Sequence, residues 1–352
     1  MRDKLWIVGL VLGLGAVWSA GFLWVRSDTE NDTAKAAART STTRSASPSA
    51  SPEGAVTTPS ASVSPGTFPS VNPVPPDQLA PIDINPDVAR PKPQLLPPVA
   101  EFSAATFNIL GSSHTAQGGH SPGKASGPQR VNGVIQLLRS HGISVAGLQE
   151  FQPNQRAAFN ARAAGWTAWP GLSMGRRAGE NSVAWRTDTW TAVETRTIPI
   201  PYFRGRIRPM PYVLLQHNET GLKMWFSTFH NPANVHGPAQ KHRNEAARRQ
   251  IGLFNRLHGS GYPQLATGDM NERQSYACKV VRNSPLVPTQ GGSCPTARPF
   301  FIDWIFGSPN VQYTGYVHDR SPLVRRTSDH PFVRVDVRID ALDYPKAVSP
   351  AE

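Results

Sequence analysis

The chain has 352 residues, of which 17% are charged and 34 are proline, and its formal charge is +12. That length allows two domains or one large domain with appendages, and the composition says that part of the chain does not pack into a core. Residues 1–100 carry eight Lys/Arg against eight Asp/Glu, and residues 101–352 carry 28 against 16. The excess charge therefore sits wholly in the C-terminal part. It points to an anionic partner such as nucleic acid, a lipid headgroup or another phosphoester, with solubility as the plainer reading. Two cysteines, Cys278 and Cys294, are too few for a disulfide scaffold or a four-ligand zinc site.

An uncharged run from Leu5 to Val25 follows Arg2 and Lys4. At about 1.5 Å per residue it matches the thickness of a bilayer core, and Trp6, Trp18 and Trp24 suit its interfaces. Acidic residues follow Arg26 directly, so the positive-inside bias leaves the N-terminus in the cytoplasm. The expectation is a single-pass anchor over residues 1–26 in the cell membrane, with the rest of the chain extracytoplasmic. The competing reading is a cleaved signal peptide and a secreted product, against which Trp18 spoils the small-residue pattern before Ser19-Ala20. Residues 27–100 are rich in Ser, Thr, Ala and Pro, with 14 prolines between 41 and 100. Such a stretch buries too little apolar surface to offset its ordering entropy and reads as a disordered spacer.

From residue 101 to 342 strand and helix patterns alternate, ahead of a tail at 343–352. Phe102–Leu110 reads as a strand, Gly111–Gly127 as a Gly/Ser/His-rich loop and Arg130–Ser140 as a helix stopped by Gly142. Ile143–Leu148 is a strand and Pro153–Ala164 a helix. Further strands are expected at Ser182–Arg186, Thr191–Ile200, Tyr212–Gln216, Leu222–Phe229, Gln264–Thr267, Phe300–Phe306, Val311–Tyr316 and Phe332–Ile339. The last alternates Val333, Val335, Val337 and Ile339 with Arg334, Asp336 and Arg338. Gln240–His258 is the longest helix. This sequence of elements implies an α/β sandwich of mainly antiparallel sheets in one domain.

Polar residues recur where these strands end. Asn108 interrupts the first and Glu150 follows the second. His230 closes Trp225–Phe229, and Asp269 and Asn271 follow Gln264–Thr267 within Gly268-Asp269-Met270-Asn271-Glu272. Asp303 lies inside an apolar run, where an unpaired carboxylate is costly to bury, and Ser328-Asp329-His330 precedes the last strand. Singly, each has a bland reading as a turn residue, a strand end or a core-rim histidine.

Together and in this order they resemble the endonuclease/exonuclease/phosphatase superfamily, through Thr106–Leu110, Leu148-Gln149-Glu150, Thr228-Phe229-His230, Gly268–Asn271, Ile302–Ile305 and Ser328–His330. The resemblance implies a four-layer sandwich of two packed sheets with a metal-dependent phosphoester hydrolase site at one end. It assigns Glu150, Asn108 and Asp329 to Mg²⁺, with Mn²⁺ as the alternative ion. Asp303 is assigned to His330, and His330 with Asp269 to the attacking water. Asn271 is assigned to the water or a phosphate oxygen, and His230 to a phosphate oxygen or the leaving group. A partner of His230 is expected at Glu180 or Asn181, and Glu272 is left as a rim residue without a role.

The substrate stays open at this point: a nuclease or broad phosphodiesterase, a sphingomyelinase- or phosphoinositide-type lipid phosphoesterase, or a catalytically silent surface-binding module on the same fold. No protein partner is expected. Three features bear on the choice: the extracytoplasmic tether, the loop after Asn108 with His114, His120 and Lys124, and the basic residues. The last are Lys241, His242, Arg243, Arg248 and Arg249 on one helix and Arg204, Arg206 and Arg208 in a loop. Outside the cell Cys278 and Cys294 are expected to form a disulfide.

Overall fold

A computed structural model describes residues 97–171, 173–174, 180–292, 294 and 301–344. The expected anchor, nearly all of the spacer and the end of the tail lie outside the described residues. Among the described residues no helix is long and apolar enough to cross a membrane.

Twelve strands form two sheets of six. In the first, β1 (Val99–Asn108) sits between β12 (Phe332–Asp340), antiparallel, and β2 (Ile143–Gln149), parallel. Beyond them lie β11 (Gln312–Asp319) on one side and β4 (Ser182–Arg186) and β3 (Trp166–Trp169) on the other. The second sheet runs β5 (Trp190–Pro201), β6 (Ile207–His217), β7 (Lys223–His230), β8 (Gln264–Asp269), β10 (Asp303–Gly307) and β9 (Val287–Pro288). Within it only β7 and β8 run parallel.

Val333, Val335, Val337 and Ile339 of β12 face the middle of the molecule, packed with Val145, Phe226, Leu265 and Ile305 from both sheets. Helices α2 (Gly127–Ser140), α3 (Pro153–Arg162) and α6 (Pro322–Thr327) supply an outer layer on the first sheet. Helices α4 (Gln240–His258) and α5 (Gln274–Asn283) do so on the second. The result is four layers. Strand β2, covered on both faces, is buried along its whole length, as its apolar sequence demands.

Sheet register brings the polar strand ends together. His230 pairs with Asp269, and Asp269 with Asp303, so β7, β8 and β10 present three functional side chains in one row. In the other sheet Asn108 pairs with Gln149. Beneath these ends the two sheets meet through a polar seam. The Gln149 amide donates to Thr106 (3.0 Å) and, across the interface, to Thr228 (2.7 Å). Gly147 lies under it without room for a methyl group, because a Cβ there would meet Thr267 Oγ1 at 2.2 Å and Thr228 Oγ1 at 2.5 Å.

Several elements differ from the sequence-based expectation. Helix α2 starts three residues early, at Gly127, through a Ser126/Gln129 capping box with a proline in its first turn. Strand β6 starts at Ile207 despite Pro209 and Pro211, because that half of β6 pairs only with β5 and Pro209 faces Pro199. Asp303 opens β10 rather than lying within a strand. Because β10 runs antiparallel to β8, its start is level with Asp269. Short β3, β9, α5 and α6 were not expected, nor was α1 (Ser112–Thr115) within the loop after β1.

Cys278 of α5 and Cys294 are joined by a disulfide, with Cα atoms 5.4 Å apart. Two outcomes follow. Gly147→Ala should cost about 1–3 kcal/mol in urea unfolding, as overpacking does. Replacing both cysteines by serine should cost about 3 kcal/mol on the loop-closure view of a 16-residue separation, read as a lower thermal midpoint.

Candidate active site

Asn108 is fully buried and reaches both sheets. Its Nδ2 donates to Glu150 Oε1 at 3.0 Å and to Asp269 Oδ2 at 3.2 Å. Its Oδ1 accepts from Leu110 N–H (3.0 Å), and its carbonyl accepts from Ser328 Oγ (2.6 Å). The carboxamide thus stands between a buried carboxylate, Asp269, and a half-buried one, Glu150, that would otherwise repel.

His330 Nδ1 lies 3.0 Å from Asp303 Oδ1, and its Nε2 lies 3.7 Å from Asp269 Oδ2. His230 Nε2 approaches the same Asp269 oxygen at 3.4 Å. Burial raises Asp303 above the ordinary carboxylate value, and the facing imidazole only partly offsets this. Burial works against charge on His330, but Asp303 and Asp269 outweigh it and push its pKa up to about 10. Each group of the Asp303–His330 contact thus favours the charged form of the other. Asn271 N–H donates to Asp269 Oδ1 (2.9 Å), and Asn271 Nδ2 is spent on the Asn231 carbonyl (2.9 Å), leaving its Oδ1 for the cleft.

Glu150 accepts from Gly111 N–H at 2.7 Å and from His114 Nε2 at 3.0 Å. Burial would raise its pKa, yet the His114 hydrogen bond, the His230 charge and the Gly111 N–H hold it well below the usual carboxylate range. His114 is raised in turn, chiefly by that hydrogen bond and against burial. Asp329 is exposed and contacts Ser328 Oγ (3.3 Å), while its charge is felt by His114, Arg130 and His330. So the structure joins Asn108 to Glu150 directly and places Asp329 beside them without a contact to either side chain.

The backbone is bent to make this arrangement. Leu110, Glu150 and Asn271 have φ of 58°, 57° and 47°, left-handed values that L side chains rarely adopt. Buried Arg130 holds the first bend, donating to the carbonyls of Ile109 (2.5 Å), Leu110 (2.6 Å) and Thr327 (2.9 Å).

Glu150, His230, Asp269, Asn271 and His330 open onto a cleft of about 440 Å³, lined also by His114, His120, Tyr202, Arg208 and His236, whereas Asn108, Asp303 and Asp329 do not line it. A larger hollow of about 670 Å³, against Asn132, Ile135, Arg139 and Arg162, offers neither carboxylate nor imidazole. His114 and His120 overhang the cleft with rings 4.2 Å apart, whereas Lys124 is turned away to the carbonyls of Arg325 and Ser328. The partner found for His230 is Tyr202, whose hydroxyl lies 3.2 Å from Nδ1. Burial and the Glu150 and Asp269 charges push that phenol's pKa well above its ordinary value, so it stays neutral. Glu180 and Asn181, the expected candidates, line the same cleft. Nothing in the sequence near Tyr202 singles it out, since only the β5–β6 register carries it to β7.

Glu272 is no rim residue. It is buried, its Oε1 accepts from Gln240 (3.1 Å), Lys279 (2.7 Å) and Ser275, and its carbonyl accepts from Trp304 Nε1 (3.1 Å). It ties α4, α5 and β10 together behind the site.

As to metals, one trio of groups close enough to share an ion is Asp269, Asp303 and His330, whose ligand atoms lie within 4.8 Å of one another. There, however, His330 Nδ1 is committed to Asp303. Glu150 is the better oxygen donor for a hard cation, being held ionised and backed by the Asn108 carboxamide.

Two mixed sheets between helices, with carboxylates, carboxamides and histidines where strands of both sheets end, define an α/β sandwich of the phosphoester-hydrolase kind. The chain belongs to the endonuclease/exonuclease/phosphatase family, whose profile matches residues 105–330, a span that holds every site residue above. Solved structures of similar fold include an endonuclease/exonuclease/phosphatase family protein from Bacteroides thetaiotaomicron. It is 18% identical, with a TM-score of 0.53 over 69% of this chain and 100% of that one. A D. rerio TDP2 humanized by 14 mutations is 16% identical, with a TM-score of 0.52 over 67% of this chain and 98% of that one. A Bacteroides thetaiotaomicron mannosyl-6-phosphatase is 19% identical, with a TM-score of 0.50 over 67% and 99%. No curated protein matches the chain by sequence.

The depressed pKa of Glu272 sets a pH signature away from the cleft. Burial alone would raise it, but Lys279, Ser275 and Gln240 outweigh burial and lower it from 4.5. The folded state thus favours the ionised form, and the gain is complete above about pH 4.5 and lost as pH falls through the lower folded value. Glu272→Gln should destabilise the protein by about 1.5–3 kcal/mol at pH 7, the range for hydrogen bonds to a charged group. In urea titrations the gap to wild type should close as pH drops below 4.5.

Proposed function

We propose that this protein is a Mg²⁺-dependent phosphodiesterase that cleaves nucleic acid, tethered by residues 1–26 on the outer side of the cell membrane. The observation that carries the chemistry is the Asp303–His330–Asp269 array, joined to Glu150 through the Asn108 carboxamide. The tether rests on the apolar run of the sequence and on the charges that flank it.

Glu150 would hold the ion, with Asn108 and Asp329 beside it. Mg²⁺ retains most of its waters and needs only one or two protein carboxylates, so a sparse oxygen site suits it, and Mn²⁺ is the natural substitute. When bound, the ion neutralises charge on the phosphoryl oxygens and the leaving group. Asp303 fixes the His330 ring through Nδ1 and leaves Nε2 facing Asp269. Between them these two groups orient the attacking water and take its proton. His230, steadied by Tyr202 and Asp269, donates to a phosphoryl oxygen or to the departing oxygen. Asn271 orients the water through its remaining oxygen.

A lipid phosphodiesterase is the second reading, favoured by exposed Val235 (72%) and Ile207 (51%), the first of which lines the cleft. The assay that separates them offers the full-length protein plasmid DNA, RNA, bis(4-nitrophenyl) phosphate and sphingomyelin, each with Mg²⁺ and with EDTA. Metal-dependent turnover of nucleic acid and of the small diester is expected. Turnover of sphingomyelin alone favours the lipid reading, and no turnover favours a silent binding module. His330→Ala and Asp269→Ala should each reduce kcat/KM by about a hundredfold or more without unfolding the domain. Wild-type rates in either variant would sink the mechanism.

A further inference from the structure

Beside the cleft lies a second hollow of about 320 Å³, lined by Tyr202, Phe203, Arg204, Arg206, Arg208 and His236. Tyr202, Phe203, Arg208 and His236 line both, so the two form one continuous groove. No carboxylate lines the second hollow. Arg204 and Arg206 are exposed, and neither forms an ion pair among the described residues. That sets them apart from the basic face of α4, where Arg248 and Arg249 are paired with Glu245 and Arg243 is buried against Pro232, Asn234 and Gln240.

The hollow is built on a fixed element. It is the tip of the β5–β6 hairpin, closed by Tyr202 N–H to the Arg206 carbonyl (2.8 Å) and Gly205 N–H to the Tyr202 carbonyl (2.9 Å). Arg204 and Gly205 take left-handed φ of 56° and 77° to make the turn. The tip rests on α4, where His242 lies 3.1 Å from a Cβ placed on Gly205. Through Tyr202 it is hydrogen-bonded to His230. Aromatic rings alternate with the cations: Phe203 meets His236 edge to face at 4.6 Å, and the Arg208 guanidinium lies 5.7 Å over the Tyr202 ring.

We propose that this hairpin tip is a second subsite, which binds the phosphate and the base next to the scissile phosphodiester of a single-stranded nucleic acid. The proposal rests on the phosphodiesterase reading of the adjoining cleft and names its substrate class. A compact phosphoester that fills the cleft alone leaves two exposed guanidinium groups without a counter-charge. A chain with one phosphate per residue supplies it, and its bases supply rings for Phe203 and His236 to stack on. Basic grooves interleaved with aromatic rings bind single strands in this way. Lipid chains would need a continuous apolar face, whereas Arg204, Arg206, Arg208 and His236 make up most of the lining of this hollow.

The test compares full-length wild type with the Arg204→Ala/Arg206→Ala double variant and with Phe203→Leu. Binding of fluorescein-labelled oligo(dT) is read by anisotropy in EDTA, and kcat/KM with Mg²⁺ is measured on oligo(dT) and on bis(4-nitrophenyl) phosphate. The double variant should lose at least tenfold more on oligo(dT) than on the small diester. Two lost phosphate contacts should also lower the slope of log affinity against log salt by about 1.4, at about 0.7 per contact for single strands. Phe203→Leu should raise KM for oligo(dT) and leave the salt slope unchanged. Equal losses on both substrates, or no loss on oligo(dT), would each overturn the proposal. If wild type hydrolyses neither substrate, the phosphodiesterase reading fails, while the anisotropy still decides the subsite.

Discussion

The buried carboxamide of Asn108 is the contact on which the site depends. Glu150 and Asp269 stand at strand ends of different sheets, and two carboxylates brought this close, one of them buried, would repel or force one to take a proton. Asn108 puts N–H donors between them, and its carbonyl binds Ser328, which brings the Asp329-His330 turn against the same point. Sheet register does the rest by setting His230, Asp269 and Asp303 level across three strands. The polar seam of Gln149, Thr106 and Thr228 fixes the spacing of the two sheets just below. Chemistry at the rim is therefore a property of how the sheets are locked together, and not of any single loop.

Much of this could be read from the chain before its structure was known. Alternation in β12 and continuous burial in β2 follow directly from which faces are covered, so those strands announce themselves. The polar residues that end strands were visible through their number and order, since each alone has a bland reading. What was not visible depended on contacts distant in sequence. Tyr202 lies 28 residues before His230, and only strand pairing brings them together. Glu272 looked like a rim residue because its neighbours are turn-forming, whereas α4 and α5 close over it. The first half of β6 was hidden by its prolines, which cost nothing where the strand lacks a second partner. His114 sits in a Gly/Ser-rich loop whose path has no periodicity to read.

The positive charge of the chain is also unevenly used. Arg130, Arg156 and Arg243 are buried and spend their guanidinium forks largely on backbone carbonyls, where a planar, multi-donor cation satisfies several acceptors at once. They hold loops in place. Arg186, Arg196, Arg248, Arg249 and Arg338 sit beside carboxylates on the surface. A net charge cannot distinguish these uses, and the residues that carry information about a partner are the few that neither use absorbs.

Strand β5 gives the hairpin one more property. It is the outer edge of the second sheet, and an open edge is a template on which another chain can add a strand. Here Pro199 is exposed and offers no N–H, and its carbonyl is taken by Arg249 of α4 at 2.9 Å. A bulge around exposed Val193 interrupts the ladder further along. The edge leading to the basic tip is thus closed to strand exchange on the side where it faces solvent. Pro199, which faces Pro209 across the hairpin, offers no N–H to a strand on either side.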